Sequence, residues 1–216
     1  DDGRSPASTT LFSMEAQELS LDLINLYGGS LDLLFDGALG GAYGAAGLGT
    51  GVPSTVNFAA PVTVTGRGSI NLGSVTDRAY AGTPLYASSQ NKLARIASLN
   101  LTDLTEVFVN NNSVYGLEVT GPSNLGPYPY LNVATASTVV QPFGLIFSGK
   151  VSNTQFGFGI QKNGNGTMLL TNATNDFDGT VNINAGVLAA SNDGALGAAG
   201  NVINIQGGQE RRGAGK

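Results

Sequence analysis

Asp176 and Asp178, in the stretch NDFDG, form the tightest carboxylate pair that precedes a glycine. Paired carboxylates can act as acid and base on a glycosidic bond, and clustered ones can hold a hard cation. As a calcium loop the spacing fails, because the position that should carry the bidentate acid is Ala185. The pair reads as a turn between strands. The chain has no histidine and no cysteine, which removes the usual general base, the commonest metal ligand, thiolate chemistry and disulfides together. A Ser-His-Asp or Cys-His nucleophilic site is excluded. The expectation is a protein that is not an enzyme and that carries no cofactor and no metal.

Two further stretches imitate chemistry. GLIFSGKV, Gly144 to Val151, satisfies the Gly-x4-Gly-Lys spacing of a phosphate loop, but the next residue must be Ser or Thr to reach magnesium, and it is Val151. The segment reads as strand. GFGIQKNG, Gly157 to Gly164, has glycines that suit corners with positive φ rather than a loop before a helix. Exposed aromatics are the remaining candidate. GPYPYL, Gly126 to Leu131, sets Tyr128 and Tyr130 among prolines, in a segment unsuited to a central strand. Such rings could stack on a carbohydrate, dock another subunit, or simply cover an edge.

Composition bounds the partners. The chain has 216 residues, 41% of them hydrophobic, so it can bury a sizeable core. Only 12% are charged and 32 are glycine, so uncharged polar groups must cover much of the surface. A net charge of −5 argues against nucleic acid, which demands clustered Lys and Arg. No apolar run reaches the ~18 residues of a membrane span, so this segment is expected not to insert into a membrane. The polar start DDGRSPASTT and the ending QERRGAGK suggest a piece of a longer chain, with any export signal or anchor outside it.

The elements that must position these residues are short strands. Alternating apolar and polar residues recur in SLDLLF from Ser30, VTVTG from Val62, SINLG from Ser69, SLNLTDLTEVFV from Ser98, TVNIN from Thr180 and VINI from Val202, each bounded by Gly, Asn, Asp or Ser. SMEAQELS, Ser13 to Ser20, has helix-start character, but the alternation of ELSLDL from Glu18 favours a strand.

One phrase recurs. Ile24 to Gly40 aligned with Val181 to Gly197 gives eight identities in seventeen positions: Asn25 with Asn182, Gly29 with Gly186, Leu31 with Leu188, and all of DGALG, Asp36 to Gly40 and Asp193 to Gly197. The content is strand, corner glycine, strand, Asp-Gly turn. A unit of this kind cannot bury its apolar face alone and must stack on a neighbour, which is the mark of a solenoid. Asn at equivalent positions can stack as a hydrogen-bonded ladder.

Phe147 to Gly197 resembles the autotransporter-associated β-strand repeat of bacterial surface passengers. The residues that carry the likeness are Lys162, Gly164, Gly166, Thr167, Leu169, Asn172, Phe177, Gly179, Thr180, Ile183, Gly186, Leu188 and the closing turn with Asp193, Gly194 and Gly197. Weaker likeness covers Leu19 to Gly40, including Gly29, Asp36, Gly37 and Gly40. The resemblance implies an all-β, right-handed parallel β-helix with irregular loops in the middle. It divides a single solenoid, 1–216, into repeat-like segments at 19–40 and 147–205 with spacer coils at 41–146. It also implies display on the outer surface of a bacterium. The expected role is structural: a stalk, fibre or surface layer built by coil stacking, with self-association or neighbouring repeats as partners. The alternatives are an adhesin segment that binds carbohydrate or a neighbouring cell and, more remotely, a β-helix polysaccharide-degrading enzyme.

Overall fold

A computed structural model describes residues 9–13, 23–35, 55–74, 92–102, 105–111, 115–134, 143–157 and 159–212. Their strands form three parallel sheets. The eight-stranded sheet runs β1 (Thr9–Ser13), β3 (Gly29–Phe35), β6 (Arg67–Ser74), β9 (Glu106–Asn111), β12 (Tyr130–Val133), β15 (Gln161–Asn163), β17 (Val181–Ile183) and β19 (Ile203–Ile205). The seven-stranded sheet runs β4 (Thr55–Asn57), β7 (Lys92–Ile96), β10 (Tyr115–Val119), β13 (Leu145–Phe147), β16 (Thr167–Leu170), β18 (Gly186–Ala190) and β20 (Gly208–Arg212). The five-stranded sheet runs β2 (Ile24–Leu26), β5 (Pro61–Val64), β8 (Ser98–Leu101), β11 (Ser123–Leu125) and β14 (Val151–Asn153).

The chain therefore visits the five-, eight- and seven-stranded sheets in turn and then starts again one strand further along. This is the parallel β-helix expected from the sequence. Each strand hydrogen-bonds only to its equivalents in the coils before and after it, as in β3 with β6 and β6 with β9. Parallel sheets commonly have both faces covered, whereas here the apolar core lies against the inner face. Hence the alternation that made the strands legible.

The core is made of columns of register-matched residues. Leu31, Ile70, Val109 and Val133 stack in the eight-stranded sheet, and all four are fully buried. Ile96, Val119, Phe147 and Leu170 do the same in the seven-stranded sheet, as do Leu26, Val64, Leu101 and Leu125 in the five-stranded one. Burying each such side chain contributes roughly 1.5–3 kcal/mol, so stability accumulates coil by coil.

Polar ladders run along the outward-facing positions, and Asp32, at the head of one, is itself buried. Asn71 donates to Asp32 at 2.6 Å and Asn110 donates to Asn71 at 2.9 Å, and these three are register neighbours on β3, β6 and β9. Asn184 donates to Asn163 at 2.8 Å and Asn204 to Asn182 at 3.0 Å. The expected asparagine ladders are thus present.

The stretch 55–146 supplies strands to the same three sheets, and its irregularity lies in connections. The step between register partners is 39 residues for Asp32 and Asn71 but 22 for Asn182 and Asn204. The extra residues, 36–54, 75–91 and 134–144, all join an eight-stranded-sheet strand to the next seven-stranded-sheet strand. The long run from Ser98 to Val109 is two strands, β8 and β9, on different sides. Residues Asp36, Gly37 and Gly40, and most of the alternative helix at 13–20, lie outside the described residues.

Candidate functional site

The recurring phrase takes its sense from the corners. Ile24–Leu26 is on the five-stranded sheet while its sequence counterpart Val181–Ile183 is on the eight-stranded one. The two copies are therefore out of phase by one side of the solenoid. What they share is a positive-φ glycine at the bend, Gly29 at +84° and Gly186 at +68°. At Gly186 the demand is double: any Cβ would also overlap the carbonyl oxygens of Gly164 and Gly166 in the preceding coil. Gly164 and Gly166 bound the same corner one coil earlier, and Gly179 lies in the turn that precedes β17.

Lys162 gives this corner its electrostatics. It occupies a core column between Leu131 and Ile183 and is fully buried. The alternation of β15 turns it inward, with Gln161 and Asn163 partly exposed on either side. Its Nζ donates to the carbonyl oxygens of Asn163 at 2.7 Å, Gly164 at 2.8 Å and Ala185 at 3.1 Å. One ammonium thereby ties two successive corners together, using all three of its donors. Burial lowers its pKa from 10.5 to about 8. Enclosed in this way, the amine is a staple rather than a nucleophile.

In the last coils the five-stranded sheet is replaced by side chains. The buried Asn175 accepts from the Val151 amide at 2.8 Å and donates to the Ala195 carbonyl at 2.8 Å, bridging β14 to the following coil. The DGALG turn there is a 3-10 helix, Asp193–Leu196, capped by Asn192 and closed by Gly197 at φ +84°. It puts Ala195 and Leu196 into the core and brings Gly194 against the backbone of Ala173. Asn201 repeats the device, donating to Phe177 and Leu196 carbonyls and accepting from Gly179 N–H.

Asp176 and Asp178 do not converge. Asp176 accepts from Lys150 Nζ at 2.6 Å and from Ser152, and the Lys150 hydrogen bond, then that of Ser152, holds its carboxyl below the usual range. Asp178 accepts from Asn153 and from the Gly157 amide, each at 2.8 Å. Both are spent on turns. Among the described residues no group of three or more acidic residues is placed to hold a metal ion. The two tyrosines also part company. Tyr128 stands on the corner before β12, at φ +52° and half exposed, whereas Tyr130 begins β12 on the outer face, between Glu106 and Gln161.

A parallel β-helix with glycine corners, asparagine ladders and a buried lysine staple is a repeat fold. Residues 160–190 match the passenger-associated-transport-repeat. That span opens at Ile160, just before β15, closes with β18, and contains Lys162, Gly164, Gly166, Gly179 and Gly186. The match implies an autotransporter passenger segment that is secreted or surface-exposed. No curated protein and no solved structure matches the chain.

Proposed function

We propose that this chain is a non-enzymatic, structural section of a passenger on the bacterial cell surface. It builds a stalk, fibre or layer by stacking coil on coil, and further coils of the same kind are its partners. The observation that carries this reading is the parallel register kept over one core by eight strands of one sheet and seven of another, which lets length grow without new chemistry.

Sedimentation velocity over a range of concentrations, with electron microscopy of the same samples, tests the assembly. Concentration-dependent linear or sheet-like species are expected. A monomer that persists unchanged to the highest concentration would refute stacking between chains.

A further inference from the structure

The corner where the chain crosses from the five-stranded to the eight-stranded sheet carries the most exposed rings among the described residues. Tyr27 follows β2, Tyr128 follows β11 and Phe156 follows β14, with exposures of 79%, 48% and 92%. Pro127 and Gln155, the chain neighbours of the latter two, line a groove of about 490 Å³ together with Thr63, Asn100, Leu101, Thr102, Asn124 and Thr154. These residues come from four successive coils. At roughly 4.8 Å per strand, the groove extends about 14 Å along the solenoid.

Among the described residues the lining holds amide and hydroxyl side chains beside Leu101 and Pro127, and no charged side chain. Its polar groups are fixed. Asn100 accepts the Asn124 amide at 3.0 Å and donates to Ser98 at 3.2 Å, and the Thr102 and Thr154 hydroxyls donate to the carbonyls of Val64 and Leu125. A hydroxyl that donates inward presents lone pairs outward, ready to accept from another hydroxyl. Tyr128 is held at φ +52° between two buried prolines, Pro127 and Pro129, at a position whose backbone favours Gly or Asn. Strain held by the surroundings is a pointer to function. Here it fixes a half-exposed ring on the residue that follows Pro127 of the groove.

We propose that this corner groove is a binding site for a neutral oligosaccharide. The rings of Tyr128 and Phe156 stack on sugar faces, and the Asn, Thr and Gln side chains take the hydroxyls. The groove length suits about three sugar residues if each occupies about one strand spacing. Without a cation in the lining, an acidic polymer gains nothing there. The site goes beyond the structural reading and does not depend on it.

The test is isothermal titration of the full chain with cellohexaose, maltohexaose, xylohexaose and mannohexaose, with tri-galacturonate as the acidic comparator. At least one neutral oligosaccharide is expected to bind, and Phe156→Ala and Tyr128→Gly are each expected to weaken it about tenfold. Tyr27→Ala, outside the groove, should leave it unchanged. Phe156 is almost wholly solvated and glycine relieves the positive φ at 128, so both variants retain the fold, which circular dichroism checks. The proposal is overturned if none of the four neutral sugars binds, if only the acidic one does, or if binding survives the double variant. It is equally overturned if the ring variants alter only sedimentation, which would make the rings a contact between copies.

Discussion

Replacing Lys162 with Met keeps an unbranched stem in the column between Leu131 and Ile183 and deletes the ammonium. Three hydrogen bonds to the carbonyls of Asn163, Gly164 and Ala185 are lost. Bonds from a charged donor contribute ~1.5–3 kcal/mol each, so the three together are worth roughly 5–9 kcal/mol. Against them stands the cost of burying the charge. The fall in pKa from 10.5 to about 8, at about 1.4 kcal/mol per pH unit, makes that cost roughly 3 kcal/mol. The net expectation is a loss of roughly 2–6 kcal/mol, so the bonds win. Urea unfolding followed by circular dichroism reads the total, and amide hydrogen exchange reads its place. Protection should fall across β15–β18 and stay in β5 and β8, because solenoid coils couple to nearest neighbours. The pH dependence gives a second readout. Below about pH 8 the lysine is charged in both states. Between about 8 and 10.5 the unfolded chain keeps a proton that the folded one has released, so this residue's contribution to stability rises with pH in that window. The gap between parent and variant should therefore widen from pH 8 to 10. A Met variant as stable as the parent, or more stable, would refute the staple, since buried charges can be replaced by apolar groups at a gain.

Gly186→Ala should cost more than ~3 kcal/mol in the same unfolding assay, since it joins positive-φ strain to overlap with two backbone carbonyls. Asn175→Ala removes both the acceptor for Val151 N–H and the donor to Ala195 carbonyl from a buried position, and a loss of roughly 2–4 kcal/mol is expected. Loss of exchange protection at Val151 would identify the cause. Asp176→Asn should change stability by at most ~1 kcal/mol, because the Lys150 pair is exposed. With its carboxyl held below the ordinary range, any contribution of Asp176 is present above about pH 4 and vanishes as pH falls further, which an acid titration of parent and variant would show.

Much of the scaffold could be read from the residues. Alternation at 30–35, 62–64, 69–72, 180–183 and 202–205 falls on β3, β5, β6, β17 and β19, because only the inner face is buried. The phase of the repeat could not be read, since a strand, a positive-φ glycine and a strand fit any corner alike. Corners without glycine were equally hidden: between β8 and β9 the bend is held by the Thr105 hydroxyl donating to Thr102 carbonyl at 2.8 Å. Lys162 belonged to the recognised pattern, but its inward side needed the alternation counted on from Ile160, against the ordinary expectation that lysine faces water. Asn175 and Asn201 gave little local signal, because apart from the Leu196 carbonyl, five residues before Asn201, the side-chain partners that define them lie 20 or more residues away. Tyr128 and Tyr130 looked like one patch until the positive φ at 128 separated corner from face.

The three long connections share one edge of the solenoid, and lengthening a closed loop there costs only a fraction of a kcal/mol for each modest increment, roughly 0.6 kcal/mol per doubling. Where its connections are short, the same edge is tied coil to coil by the Gly164, Gly166 and Gly186 contacts and the Lys162 bonds, and where they are long it admits inserted sequence between strands that keep their register. What the protein presents along that line can diversify without any change to the core. Segments inserted in adjacent coils emerge one strand spacing apart, about 4.8 Å. Variation in this chain is therefore linear in layout: it is added as entries along a single seam, in an order set by the coils.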